Sequence, residues 1–236
     1  MRVLSVVHQA DAGPGVFAEV ARERGCRLVE WNPPEGPAPA DVLEGYAGVL
    51  VLGASANPDE DAAKPWLGEV RDLLRGLLDR QVPVLGVCLG AELLAEVAGG
   101  AARRLAEPQI GWYEIALTEW ADGDPILGSL PPRFPSFQWH SYACEVPPLA
   151  TALAGEGARL DAFRVREAWG LQFHPEVTSG IVSGWLADYR SDEGAVAAGF
   201  DPAPVAAETP ARIGPANEVG ARIFGAFLDY ARRARP

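Results

Sequence analysis

The chain has 236 residues, 48% hydrophobic and 22% charged, with a formal net charge of -12 and a sequence pI of about 4.7. That length can bury a sizeable core, and the composition is ordinary for a globular domain. The negative field disfavours nucleic acid or an anionic membrane as partner, and no apolar run approaches the roughly 18 residues of a membrane span.

The first apolar run, RVLSVV (2–7), reads as a buried strand. With its polar continuation it is too short for a secretory leader. A helix follows, with Val16, Phe17, Val20 and Ala21 on one face and a stop at Gly25. CRLVEW (26–31) is a second strand, a Pro-rich loop comes next, and AGVLVLG (47–53) is a third strand. Pro65 then opens a helix whose Leu67, Val70, Leu73, Leu74, Leu77 and Leu78 recur at helical spacing. VPVLGV (82–87) is a fourth strand that ends at Cys88.

Alternation of strand and helix predicts an α/β fold: an open, largely parallel twisted sheet with helices on both faces. In such sheets ligands bind beyond the carboxyl ends of the strands. Cys88 and the turn after Gly53 both lie at such ends. After residue 100 the strands shorten, at 111–118, 134–141, 161–166 and 168–174, which predicts a mixed or antiparallel extension of the sheet. Residues 177–190 read as a helix capped by Thr178. Residues 191–217, rich in Ala, Pro and Gly, read as an irregular connection, and the last helix covers about 217–232. The whole chain, 1–236, is expected to form one domain.

Gly86-Val87-Cys88-Leu89-Gly90 has the form of a nucleophile elbow with Cys in place of Ser. Glycines permit a tight strand-to-helix turn, and the helix N-terminus behind the thiol favours thiolate. The chain has three histidines. His174, in LQFHPEV, stands two residues before Glu176, so on an extended segment the carboxylate faces the imidazole and can fix its tautomer. A Cys nucleophile, a His base and an orienting acid form a triad. His140, in FQWHSY, is the second candidate base, and His8 reads as a packed or rim residue. The three cysteines, Cys26, Cys88 and Cys144, are odd in number and far apart, which predicts a reducing cytoplasm and neither disulfides nor a thiolate zinc site. No dinucleotide or phosphate-loop motif is complete, so no cofactor is expected.

VPVLGVCLGAELLA together with AWGLQFHPEVT resembles the class I (triad) glutamine amidotransferases, of the flavodoxin-like type, with a likeness to the amidotransferase domain of GMP synthetase. The likeness continues through GPGVFAEVARERG, YAGVLVLGA and FQWHS. It implies that Cys88 attacks a glutamine side-chain amide, that His174 moves the proton and Glu176 orients it, and that water hydrolyses a γ-glutamyl thioester. It also implies an oxyanion hole from the backbone N–H groups of Ala54 and Leu89, and substrate contacts at Gly53, Glu92, Trp139, His140 and Ser141.

This chain departs from the family pattern at three places. Gly53-Ala54-Ser55 replaces Gly-Gly-Pro, and if that position required φ > 0, Ala54 would cost about 1 kcal/mol or more. Glu92 replaces a Gln; an acid there repels a carboxylate and favours an ammonium, a feature shared with γ-glutamyl hydrolases, unless an arginine such as Arg103 or Arg104 neutralises it. His140-Ser141-Tyr142 replaces His-Gly-Asp. The activity implied is hydrolysis of glutamine or of a γ-glutamyl amide. A glutaminase of this kind serves a separate ammonia-accepting synthetase, whereas a hydrolase needs no partner beyond its small-molecule substrate. The alternative from another class is a catalytically degenerate amidotransferase-like binding or regulatory module.

Overall fold

The computed structural model describes residues 1–234. Its elements in chain order are β1 (Arg2–Val6), α1 (Val16–Glu23), β2 (Arg27–Trp31), β3 (Gly48–Val51), α2 (Trp66–Asp79), β4 (Val84–Val87) and α3 (Leu89–Val97). There follow β5 (Ala101–Ala116), β6 (Arg133–Glu145), β7 (Thr151–Glu156), β8 (Arg159–Val165), β9 (Ala168–Leu171), α4 (Ser179–Ala187), α5 (Glu193–Ala197) and α6 (Pro202–Ala234). The main sheet has seven strands in the order β2-β1-β3-β4-β9-β8-β7. The five strands from β2 to β9 run parallel, and β8 and β7 turn back antiparallel at one edge.

Period-two patterning sorts this sheet's side chains into two cores. Val3, Leu50, Leu85 and Val87 face one way and meet Phe17 of α1 and Phe224, Phe227 and Leu228 of α6. Leu4, Val6, Val49, Val51 and Val84 face the other way and meet α2 and α3 through Leu67, Val70, Leu74, Leu77 and Leu93. Strands β3, β4 and β9 are buried along their whole length, as parallel strands covered on both faces are.

The second half differs from expectation in two respects. β5 and β6 are not an extension of the main sheet but a separate two-stranded antiparallel ribbon, of 16 and 13 residues. Its first part, ARRLAEP, is mostly exposed and so lacks the apolar alternation that marks a half-buried strand.

Residues 191–217 are helical rather than irregular: α5 is followed by a 33-residue α6 with Pro210 and Pro215 inside it. Each internal proline deletes one ladder hydrogen bond. Tertiary contacts offset this: Trp112 Nε1 of β5 donates to Thr209 Oγ1 at 3.0 Å, and Val205 and Ile213 pack on the cluster of Phe137, Val177, Val182 and Leu186. The capping of α4 is as expected, with Thr178 Oγ1 accepting from Ile181 N at 3.2 Å. Among the described residues no helix is long and apolar enough to cross a membrane.

Candidate active site

β4 ends at Val87 and α3 begins at Leu89, so Cys88 alone makes the turn. Its φ of 50° and ψ of −112° place an L-residue in a strained region that costs on the order of 1–3 kcal/mol. The surroundings hold it there: Cys88 N–H donates to Leu171 O of β9 at 2.8 Å, and Cys88 O accepts from Glu92 N at 2.9 Å. The flanking glycines are explained by close backbone approach rather than by positive φ. A Cβ on Gly86 would stand 2.7 Å from Gly90 O, and one on Gly90 would overlap the carbonyl of Val51. Bare backbone lets the first turn of α3 seat against β3 and β4.

His174 follows β9 and is fixed by its N–H, which donates to Phe137 O of β6 at 2.8 Å. Its Nδ1 is 2.7 Å from Glu176 Oε1, and its Nε2 is buried with no partner. Glu176 is held in turn: its carbonyl accepts from Val16 N at 2.9 Å, and Gly15, at φ 47°, approaches it too closely to carry a side chain. Gly53 lies between the thiol and the imidazole. A Cβ there would meet His174 Cε1 at 3.0 Å and Cys88 Sγ at 3.8 Å, so a side chain would fill the gap between them.

The Cys88 thiol donates to Trp139 O at 3.7 Å. Burial, and then the charges of Glu92 and Glu176, push its pKa well above the ordinary thiol value, against the lowering effect of the Leu89 N–H. The helix N-terminus is expected to favour thiolate, and the Leu89 N–H acts in that direction. At 5% exposure, desolvation outweighs that one N–H.

Glu92 is 3% exposed, and burial raises its pKa to about 7. Its Oε1 accepts from Gln172 Nε2 at 2.9 Å, and Gln172 Oε1 accepts from Cys144 N–H and Sγ–H at 3.2 Å. Neither suggested arginine reaches Glu92: Arg103 pairs with Glu145 at 3.1 Å, and Arg104 lies over the Tyr142 ring. Ala54 is not among the residues at positive φ, so the strain considered for that position does not arise.

Cys88, His174, Gly53, Ala54, Glu92, Trp139, His140 and Ser141 line one pocket of about 510 Å³. Leu89 is buried behind it, its N–H directed at the thiol. His140 donates Nδ1–H to Tyr142 O, and burial lowers its pKa to about 4, so it is neutral at pH 7 with Nε2 unpartnered. His8 is packed on Trp66, with ring centroids 4.8 Å apart, and does not line the pocket.

Sequence reasoning missed Asp188, Asp192 and Glu193, which also line the pocket, and named Arg104, another lining residue, only as a partner for Glu92. Asp192 caps α5 through Ala195 N at 2.9 Å and accepts from Trp139 Nε1 at 2.7 Å. The acid-rich start of SDEGAVAA was a legible cap signal in a stretch read as irregular. Among the described residues no group of His, Cys, Asp and Glu is placed to hold a metal ion.

Residues 16–184 match the family model for class-I glutamine amidotransferases. The glutamine amidotransferase-like protein YfeJ of Salmonella typhimurium is 27% identical over 191 residues, 79% of this chain and 80% of that protein. A glutamine-hydrolyzing GMP synthase subunit of Methanoculleus marisnigri is 32% identical over 149 residues, 61% of this chain and 72% of that protein. Among solved structures, a glutamine amidotransferase from Thermotoga maritima superposes with a TM-score of 0.85 at 26% identity, covering 98% of this chain and 97% of that one.

Proposed function

The chain belongs to the class-I glutamine amidotransferase family, and from that premise we propose that it is a cysteine-nucleophile amidohydrolase acting on a γ-glutamyl amide, glutamine included. The observation that carries this reading is the pairing of His174 Nδ1 with Glu176 Oε1 at 2.7 Å, which leaves Nε2 without a partner in the pocket that Cys88 lines. Glu176 fixes the tautomer with the proton on Nδ1, so Nε2 presents a lone pair.

The thiol rests protonated, and its proton passes to His174 Nε2 as Sγ attacks the amide carbon. The carbonyl oxygen then carries negative charge, which the N–H groups of Leu89 and Ala54 stabilise. Collapse breaks the C–N bond, and His174 returns the proton to the departing nitrogen. A water, deprotonated by His174, hydrolyses the thioester to glutamate and regenerates the thiol. Bare backbone at Gly53 leaves the space in which the amide sits between Sγ and the imidazole.

The glutamyl end is a zwitterion, and the pocket offers a pole for each charge. Glu92 faces the α-ammonium. Arg104, which has no ion-pair partner among the described residues, faces the α-carboxylate. With glutamine as substrate, the ammonia released either passes to a separate synthetase or leaves the site as a product of hydrolysis for its own sake. A γ-glutamyl chloromethyl ketone that labels Cys88, together with ammonia release from L-glutamine and amine release from γ-glutamyl amides, tests the reading. Absence of both labelling and release would overturn it. It would favour the binding module instead, a reading supported by the raised pKa of the resting thiol.

A further inference from the structure

The pocket is larger than a free amino acid needs: about 510 Å³ lies within the range of sites for drug-sized ligands, about 300–1,000 Å³. Its charges are unbalanced. Asp11, Glu60, Glu92, Asp188, Asp192 and Glu193 line it, against Lys64 and Arg104. Lys64 is neutralised by Glu60, at 2.5 Å. Asp188 and Glu193 have no cationic partner among the described residues, and the chain's net charge of -12 adds to the same field.

Asp192 sits close to the chemistry, and Asp188 and Glu193, both solvent-exposed, line the same pocket beside it. Trp139 touches Cys88 Sγ through its carbonyl and Asp192 through its indole N–H, so the α4–α5 segment lies one side chain from the nucleophile. The walls between are aromatic: Trp139 and Trp185 stand edge to face with centroids 6.0 Å apart, and Trp185 also meets His174 at 5.0 Å. Aromatic faces and carboxylates together suit a cation.

A second observation points the same way. His140 is only 6% exposed, its Nδ1–H is committed to Tyr142 O, and its Nε2 lies without a partner in the pocket wall. A neutral imidazole fixed in that tautomer offers a lone pair and no proton at Nε2, so it calls for an N–H donor.

We propose that the site hydrolyses γ-glutamyl amides whose leaving amine carries a second, distal ammonium, held by Asp188, Glu193 and the indole walls, with His140 Nε2 accepting an N–H from the same amine. The proposal rests on the amidohydrolase reading and specifies its leaving group. The reaction is balanced by water alone: the amide C–N bond breaks, the thioester forms and is hydrolysed, and glutamate and a diamine are released.

The test compares kcat/KM for the γ-glutamyl amides of a diaminobutane, of pentylamine and of an aminopentanoic acid, with L-glutamine alongside. The expected result is that the cationic amide exceeds the neutral one about tenfold at low salt, that the carboxylated amide is worst, and that salt narrows the gap. Joint Asp188→Asn and Glu193→Gln substitution lowers the cationic-to-neutral ratio at least fivefold. Equal rates for the cationic and neutral amides, or an unchanged ratio in the double variant, would overturn the proposal and leave amidohydrolase activity standing. Turnover of glutamine with none of the three amides cleaved would do the same. No turnover of any substrate would remove the amidohydrolase reading and this proposal together.

Discussion

Gly220 of α6 lies against the carbonyl of Pro175, so closely that a Cβ at Gly220 would overlap that oxygen. The long C-terminal helix is thereby seated on the residue between His174 and Glu176. An alanine in place of an interior helix glycine normally stabilises by about 1 kcal/mol. Here the sign reverses: Gly220→Ala should lower stability and displace the His-Pro-Glu turn, reducing kcat with little change in the far-ultraviolet spectrum. A variant that melts higher and keeps its kcat would show that the turn is positioned by something else.

Cys88→Ser and Cys88→Ala should both abolish turnover. Cys88 lines the pocket, so truncation removes the reacting atom and little packing, and an alanine meets the same φ of 50° without new strain. Melting should shift by the equivalent of less than about 2 kcal/mol. An alanine variant with measurable turnover, or either variant unfolded, would remove Cys88 as nucleophile.

The two bases separate by what holds them. His174 is oriented by Glu176, whereas His140 is tied to a backbone carbonyl and has no acid. His174→Asn should lower kcat by about a thousandfold or more, and Glu176→Gln by less, because orientation contributes less than proton transfer. His140→Asn should act mainly on KM. The reverse pattern, a dead His140 variant and a mild His174 variant, would exchange their roles.

How much of this was legible follows from which forces act locally. The strand-to-helix turn at Cys88 and the pairing of His174 with Glu176 could be read because each is a short run whose geometry depends on adjacent residues, and the strand alternation up to Cys88 fixed the sheet around them. Beyond the acidic cap of α5, the helix over 202–217 could not be read, because it is decided by Trp112 reaching Thr209, 97 residues away, against the local vote of Pro210 and Pro215. The balance at the Cys88 thiol is not legible for a related reason: a helix N-terminus is visible in sequence, but the burial that opposes it is not. Arg104 and Glu193 enter the pocket only through the fold of the ribbon and α5.

Acid should destabilise the protein through two histidines. Burial lowers the pKa of His8 and of His140 from 6.5 to about 4. Between those values the unfolded chain binds protons that the native protein does not, so each contribution is complete above about 6.5 and is lost as pH falls towards 4, at about 3 kcal/mol each. Glu92 acts in the opposite sense over about 4.5 to 7, so roughly one histidine's worth of loss survives. Chemical denaturation from pH 7 to pH 4.5 should show that loss, and His8→Leu should nearly flatten it. A slope unchanged in the variant would mean that His8 is protonated in the native state.

Glu92 gives the sharpest test, because stability and binding respond to its charge with opposite signs. Its native pKa of about 7 lies above the ordinary 4.5, chiefly through burial, with Gln172 and His174 favouring ionisation and Glu96 opposing it. As pH rises from 4.5 to 7 the unfolded chain has already released the proton that the native protein retains, so this group costs stability progressively, by up to about 3 kcal/mol above pH 7. Glu92→Gln should remove that cost and raise the melting temperature at pH 8, with no gain near pH 4.5. Binding of a γ-glutamyl substrate should go the other way. If the ionised carboxylate receives the α-ammonium, KM falls as pH rises through 7 in the parent protein. In Glu92→Gln, KM is about tenfold higher and flat with pH. A variant with a lower KM for glutamine would show instead that Glu92 repels the α-carboxylate. The zwitterion arrangement with Arg104 would then fall, while the stability result would stand.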